Sequence, residues 1–523
     1  MTGPRNDSLW RDRLIIAAAY AIAWGLLLVN RGLYWDDWTL LGRTPASLIG
    51  GFTELGLPLG GVAYSALFSL PLPGLAGHVL IFATYLASSL VLHAILRLLP
   101  GISAMDALIA ALTFAVLPVN VARIALIDSL YGVSLLAFLL ASWLLIRVVE
   151  DGGTGRRIAA LLLFLLSFYT ASLLVFYAVP IALAAFLLRR ARSDSIASLV
   201  IRHADFLALP VAYWVLKAAF LTPNGVYEGY NALSLGGLLG VPGAMIAVPG
   251  QVLAEPMTRA FAVAGWLGLV AGAGLAIVLL RHRRRLSDAR PAPAPILALI
   301  GAALIGLGVF AYLAVGLTPM IWDWSSRHQL LVPLGVGLIA AAIGRGFGSL
   351  GSPTRTAGLA VVGLLLGISV IADVRTLVGY QVDWFKQQAL IEAVRADPAL
   401  QTARHVRVND AATALNALRR TYRFYELNAM FEEGTGTRDR LVALRGREPA
   451  EADLESIIDR PAYHMGDYVR RPVDLDLRIA PGDPPHLADV LTLLWLEATG
   501  SPSFRPEVSR LVNLSVSGVT GAP

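Results

Sequence analysis

About eleven stretches of this chain are apolar enough, over enough residues, to be read as membrane-crossing helices, and that pattern constrains everything else. A helix spanning a bilayer needs about 20 mostly apolar residues, somewhat fewer where polar ends cap it. Such runs occur at Leu14–Val29, Gly77–Leu99, Met105–Val121, Leu130–Val149, Ile158–Tyr169 and Ser172–Leu188, and again at Ala204–Leu221, Ala260–Leu280, Pro295–Gly316, Leu330–Ile343 and Ala357–Ile371. The segment Ile158–Leu188 is too long for one helix and has arginines at both ends (Arg156, Arg157; Arg189, Arg190, Arg192). Two short spans turning at Phe168-Tyr169-Thr170 keep both basic ends on one side. With 56% hydrophobic residues, 15% charged residues and a mean hydropathy of +0.65, the chain has too little charge to cover a water-exposed surface.

The charge is unevenly placed. Up to Ala372 there are 24 basic and 15 acidic residues; from Asp373 onward there are 18 and 21. The net +6 is therefore a property of the apolar part, not a sign of nucleic-acid binding. The reading is a polytopic α-helical membrane region over 1–375 and a soluble α/β region over 376–523. With the N-terminus in the cytoplasm, the inner segments carry 18 basic residues. The outer ones carry six: Arg31, Arg43, Arg123, Lys217, Arg259 and Arg327. Eleven spans then put the C-terminal region outside, in the periplasm of a bacterial inner membrane. Asn30-Arg31-Gly32-Leu33 after the first run lacks a small-residue cleavage site, so that run is read as a span rather than a signal peptide.

Two outer loops are long, 30–76 and 222–259. Each contains a Gly/Pro-punctuated apolar stretch (Leu48–Leu75 and Leu233–Leu253) suited to an interfacial or re-entrant helix. In the C-terminal region, patterning predicts helices near Asp383–Asp397, Ala411–Phe431 and Leu487–Ala498, and strands at His405–Val408 and Val473–Ile479. There are no cysteines, which excludes disulfides, thiolate metal sites and thiol catalysis. The eight histidines include no i, i+4 pair, which argues against a histidine metal site. Gly346, Gly348 and Gly351 form a G-x-G-x-x-G, but it precedes a Ser-Pro turn instead of opening a βαβ unit, so it does not read as a nucleotide site.

Charged side chains near a membrane are costly, so those at span ends stand out. Tyr34-Trp35-Asp36-Asp37-Trp38 follows the first run. Arg123 and Asp128 follow the third. Lys217 ends the seventh and is followed by Tyr227, Glu228 and Tyr230. Trp322-Asp323-Trp324 and Arg327-His328 lie between the ninth and tenth. Acids, bases and aromatics thus meet on one face, while the inner face shows only arginine clusters. Each also has a structural reading: Tyr34, Trp35 and Trp38 as an interfacial belt, Asp36 or Asp37 as a helix cap, Asp128 paired with Arg123, Arg327 snorkelling.

A multispan chain with an acidic pair after its first helix, a further acid in the next outer loop and an extracytoplasmic C-terminal region resembles the GT-C superfamily, glycosyltransferases that use polyprenyl-phosphate-linked sugars. The resemblance implies that Asp36 or Asp37 is the catalytic acid of the first outer loop, with Asp128 as the acid of the second. It implies that Arg327 holds the lipid phosphate, with His328, Arg123, Lys217, Tyr34, Trp35, Tyr227, Glu228 and Tyr230 as substrate-binding candidates. The expected activity is inverting transfer of a sugar from a polyprenyl-phosphate donor to an envelope glycan, lipid or protein. No cofactor is required by these residues; a divalent cation, Mg or Mn, is compatible with them. The competing classes are a lipid-linked oligosaccharide flippase, which predicts charges in both halves of the membrane and inverted repeats, and a non-catalytic envelope scaffold.

Overall fold

The computed structural model describes residues 5–191, 200–229, 235–283, 292–321, 323–346, 352–483 and 485–518. Tyr230, Trp322, Gly348 and Gly351, singled out above, lie outside the described residues, as does Arg192. Every one of the eleven apolar runs falls on helix. Six helical stretches are long and apolar enough to cross a membrane: Pro73–Leu98, Leu126–Asp151, Ala171–Arg189, Leu235–His282, Ala294–Leu313 and Pro353–Ala396. The other five runs fall on helices that are shorter or more polar, among them Ala104–Val116 and Val332–Arg345. Large apolar side chains such as Ile22, Leu162, Trp266 and Leu299 are exposed around the bundle, as a lipid-facing surface requires.

The shortness of Ala104–Val116 has a physical reason. It is buried from Met105 to Val116, so it need not present a lipid-facing length. Its start is closed by a capping box: Ser103 Oγ accepts from Asp106 N–H (3.2 Å), and Ser103 N–H donates to Asp106 Oδ2 (2.7 Å). Arg345 then grips the same carboxylate through Nε (2.8 Å) and Nη2 (2.5 Å), tying the end of helix Val332–Arg345 to this cap. Close approach is set by small residues; a Cβ on Gly337 would sit 2.6 Å from the Ala110 carbonyl oxygen.

Three expectations change in detail. The stretch Leu233–Leu253 and the span after it form one 48-residue stretch, Leu235–His282, that contains a π-turn at Gly250–Ala254 and a kink at Gly265 (φ 57, ψ −150). The last apolar run and the helix near Asp383–Asp397 are likewise one helix, Ser352–Ala396, which passes unbroken through residue 376. The stretch Leu48–Leu75 forms two helices, Pro45–Glu54 and Pro58–Phe68, and the start of Pro73–Leu98.

Beyond the long helix the chain forms a four-stranded sheet: β1 (His405–Asp410), β2 (Leu441–Leu444), β3 (Leu475–Pro481) and β4 (Val512–Gly518), in the order β2-β1-β3-β4. β1 pairs parallel with β2 and β3, and β3 pairs antiparallel with β4. The crossover from β1 to β2 carries helix Phe424–Thr435. The helix expected over Ala411–Phe431 is not continuous: 3₁₀ turns occupy Thr413–Leu415 and Ala417–Arg419, with Leu418 and Arg419 left-handed. Buried polar demands break it. Ala417 N–H and the Arg420 guanidinium both serve Asp383 on the long helix, and Asn416 Oδ1 receives Lys386 Nζ.

Candidate active site at the first loop

The loop after the first helix is held from three directions. Tyr34 is extended (φ −136, ψ 137), its hydroxyl donates to the Tyr380 carbonyl (2.8 Å), and its ring meets that of Tyr380 edge-on at 5.1 Å. Trp35 then adopts φ 51, a left-handed conformation that bulky residues rarely take. It is fixed there by full burial, by its N–H donating to Glu426 Oε1 (3.1 Å), and by the Trp324 ring 5.5 Å away. Trp38 donates through Nε1 to Gln387 (3.0 Å), and its carbonyl meets His464 Nε2 (2.7 Å). Tyr34 and Trp35 are therefore braces of the loop.

The two adjacent acids have different surroundings. Asp37 is fully buried; its Oδ2 accepts from Tyr34 N–H (3.0 Å) and its Oδ1 from Ile127 N–H (2.9 Å). It pins the first loop to the 3₁₀ turn Leu126–Asp128. Burial pushes its carboxyl up to about 7, against the pull of those backbone donors, and Asp36 beside it pushes the same way. Asp36 is only half-buried. Its Oδ1 accepts from the Tyr425 hydroxyl (2.5 Å), and its other oxygen has no hydrogen bond among the described residues. Burial raises this carboxyl as well, opposed by the Tyr425 hydroxyl and by the charges of Arg327 and Arg423.

Asp128 is buried, Oδ2 has no partner among the described residues, and Arg327, Asp37 and Asp36 all lie within its electrostatic reach. Four tyrosines feel its charge: Tyr64, Tyr85, Tyr169 and Tyr312. Arg327 sits half-buried over the Trp324 ring (4.2 Å), donates to the Trp324 carbonyl (3.2 Å) and forms no ion pair among the described residues. The turn that carries it, Asp323–Gln329, is anchored by Ser326 Oγ accepting from Ala122 N–H (2.8 Å). His328 is buried against Tyr312 (ring centroids 4.9 Å apart); burial first, and Arg327 second, hold its imidazole down at about 4. It is a neutral group here.

The remaining candidates divide. Tyr227 is half-buried on the rim, within reach of Asp36, Tyr463, Arg460 and Arg43. Glu228 is exposed and contributes no described contact to the acids. Lys217 rests beside Trp214 (5.2 Å) and is not brought to them. Arg123 does not pair with Asp128. It is buried over the Trp24 ring (3.2 Å) near Tyr85 (4.9 Å), and it acts on Asp373 of the long helix.

Sequence reading missed the contribution of the C-terminal region. Tyr425 and Arg423 open helix Phe424–Thr435 against Asp36, and behind them Arg420 is buried between Asp383 and Glu426 (2.6 Å to each). The signal available was the dense run from Arg419 to Glu426, in which three arginines and three aromatics are crowded together without an apolar period. It also missed a buried cluster at the opposite end of the bundle. There Asp12 meets His282 Nε2 (2.6 Å), His93 Nε2 (3.3 Å) and Arg97 Nη1 (3.6 Å), so that end holds more than orienting arginines. Among the described residues no group of three or more His, Asp or Glu side chains is placed to hold a metal ion. No family model, curated protein or solved structure matches the chain.

Proposed function

We propose that the chain is a membrane glycosyltransferase of GT-C type, with eleven spans and its C-terminal region in the periplasm. It moves a sugar from a polyprenyl-phosphate donor to an envelope glycan, lipid or protein. The observation that carries this reading is a partly buried carboxylate, Asp36, within electrostatic reach of a guanidinium, Arg327, that has no ion pair among the described residues, both at the end of an apolar bundle, with a buried acid, Asp128, in reach of both. In the proposed displacement the acceptor oxygen attacks the anomeric carbon from the face opposite the phosphate. Its proton passes to Asp36, the bond from anomeric carbon to phosphate oxygen breaks, and polyprenyl phosphate leaves with the electron pair. Arg327 meets the charge that grows on the leaving phosphate, a role suited to a group that does not lose its proton. Asp128 and its tyrosines hold sugar hydroxyls. A carboxylate base in this position contributes ~10²–10⁴ in rate.

A transporter of lipid-linked sugars is the second reading, favoured by one observation: buried charges occur in both halves of the bundle, at Arg123 and Asp373 and at Asp12, His93 and His282. One experiment separates the two. Purified protein in vesicles is given radiolabelled polyprenyl-phosphate sugars together with envelope extract. Label moving into a new product supports transfer. Label that only changes leaflet supports transport and removes the catalytic role of Asp36.

A further inference from the structure

Helix Leu487–Ala498 carries a stripe that the sheet does not use. Val490 and Leu493 are buried against the rest of the C-terminal region, while Leu487, Leu491 and Trp495, four residues apart and so on one face, are 63%, 55% and 70% exposed. Three large apolar side chains in line on a water-facing helix form a patch that calls for a partner.

Where this helix sits identifies the partner. Its last turn is tied to the end of the bundle: Arg31 Nη1 and Nη2 donate to the carbonyls of Glu497 (3.0 Å) and Ala498 (3.3 Å). On the other side, Trp384 Nε1 donates to Glu497 Oε1 (2.7 Å). Arg31 lies two residues after the pair Leu28 and Val29, both exposed apolar residues at the end of the first helix, with buried Asn30 between. The first turn of the membrane-spanning candidate Pro73–Leu98 closes on the Arg31 backbone at Gly74, with exposed Leu70 and Leu72 just before it. The Trp495 end of the stripe thus lies beside the residues at which the exposed apolar surface of the bundle ends. A Trp flanked by leucines, with an arginine at its base, is the composition of a helix lying in the headgroup region.

We infer that the Leu487–Leu491–Trp495 face rests in the lipid leaflet at the Asp36 end of the bundle, so that the C-terminal region is held on the same membrane surface that a lipid-linked donor would occupy. The inference does not depend on the proposed reaction. The chain has no cysteine, so single spin labels can be placed cleanly. Leu491→Cys and Trp495→Cys are compared in nanodiscs with Thr492→Cys, on the exposed polar side of the same helix, and with Ile22→Cys on the lipid-facing first helix. The expected result is that labels at 491 and 495 are relaxed by oxygen and shielded from a water-soluble nickel chelate, as at 22, while the label at 492 meets the chelate. Equal exposure of 491, 495 and 492 to the chelate overturns the inference. Shielding of 491 and 495 from both relaxers overturns it too, since a protein surface then covers the stripe. Should the cysteine variants fold poorly, quenching by acyl-chain-brominated lipid of the native chain against Trp495→Phe gives the same answer: a quenched component lost with Trp495 supports lipid contact, and an unchanged quench removes it.

Discussion

The hydroxyl of Tyr425 donates to Oδ1 of Asp36 at 2.5 Å across 389 residues of sequence. One bond joins the first loop to the first turn of the helix that crosses from β1 to β2. It also distinguishes the two adjacent acids, because Asp37 spends both oxygens on backbone N–H groups and Asp36 has one oxygen without a hydrogen bond among the described residues.

That bond sets a pH prediction. The Tyr425 hydroxyl pulls the Asp36 carboxyl down against the effect of burial. Tyr425→Phe removes the pull, so the carboxyl rises, and a base that must be ionised loses activity at a higher pH than in the native chain. The acid limb of the transfer rate therefore moves upward in Tyr425→Phe. Asp36→Asn lowers transfer by ~10²-fold or more at every pH. The check is a pH–rate series with folded protein verified by gel filtration. An unmoved limb in Tyr425→Phe detaches Asp36 from the proton transfer.

Asp37 predicts a stability effect in place of a catalytic one. Asp37→Ala leaves the buried N–H groups of Tyr34 and Ile127 without an acceptor, at ~1–3 kcal/mol each. The carboxyl of the folded chain lies near 7, above its ordinary value of 3.8, so the folded state binds this proton more tightly than the unfolded one. The stabilisation is present at low pH and is lost as pH rises from 3.8 to about 7. Thermal denaturation in detergent across that range tests the sign. Asp37→Asn should remove this slope, and an identical slope in both proteins places the titration elsewhere.

How much of this was legible in sequence follows from period and reach. The apolar runs announced the helices because lipid imposes length and hydropathy on the chain itself. They could not announce that Ala104–Val116 is short because it is buried throughout, since burial depends on neighbours such as Arg345, 239 residues away. Strand β1 was visible in its alternation, but β2 is buried at all four positions and has no alternation to read. The acids of the candidate site stood out in the sequence because charge is rare near spans. Tyr425, Arg420 and Glu426 did not, because charge is ordinary in the charge-rich C-terminal stretch and only the fold brings Tyr425 to Asp36 and Arg420 to Glu426 behind it. The structural alternative of an Arg123–Asp128 pair rests on proximity in sequence; the 3₁₀ turns Val121–Ile124 and Leu126–Asp128 direct the two side chains to different neighbours.

The basic-residue bias predicts sidedness. Single cysteines in a chain that has none allow labelling by a membrane-impermeant reagent. Gly152, between helices Ser129–Asp151 and Thr154–Ser167, should label only from the cytoplasmic side, and Thr437, after helix Phe424–Thr435, only from the opposite side. Labelling of both from one side removes the odd number of spans and the periplasmic placement of the sheet.

Arg327 gives the prediction closest to the chemistry. It is half-buried over Trp324, its guanidinium is not consumed by an ion pair among the described residues, and both Asp36 and Asp128 feel its charge. His328 beside it, held down at about 4, is neutral at physiological pH and adds no charge for a phosphate. If Arg327 holds the donor phosphate, Arg327→Lys keeps the charge, loses the bidentate fork, and weakens the reaction less than Arg327→Ala. The loss appears in the donor dependence, with the acceptor dependence unchanged. Lys217, which lies beside Trp214 away from the acids, does not compensate, so Lys217→Ala leaves both dependences as they were. Donor and acceptor titrations in nanodiscs with the native chain and these three variants decide the matter. A shift in acceptor dependence alone in Arg327→Ala assigns the guanidinium to the acceptor side and leaves the donor phosphate without its proposed partner.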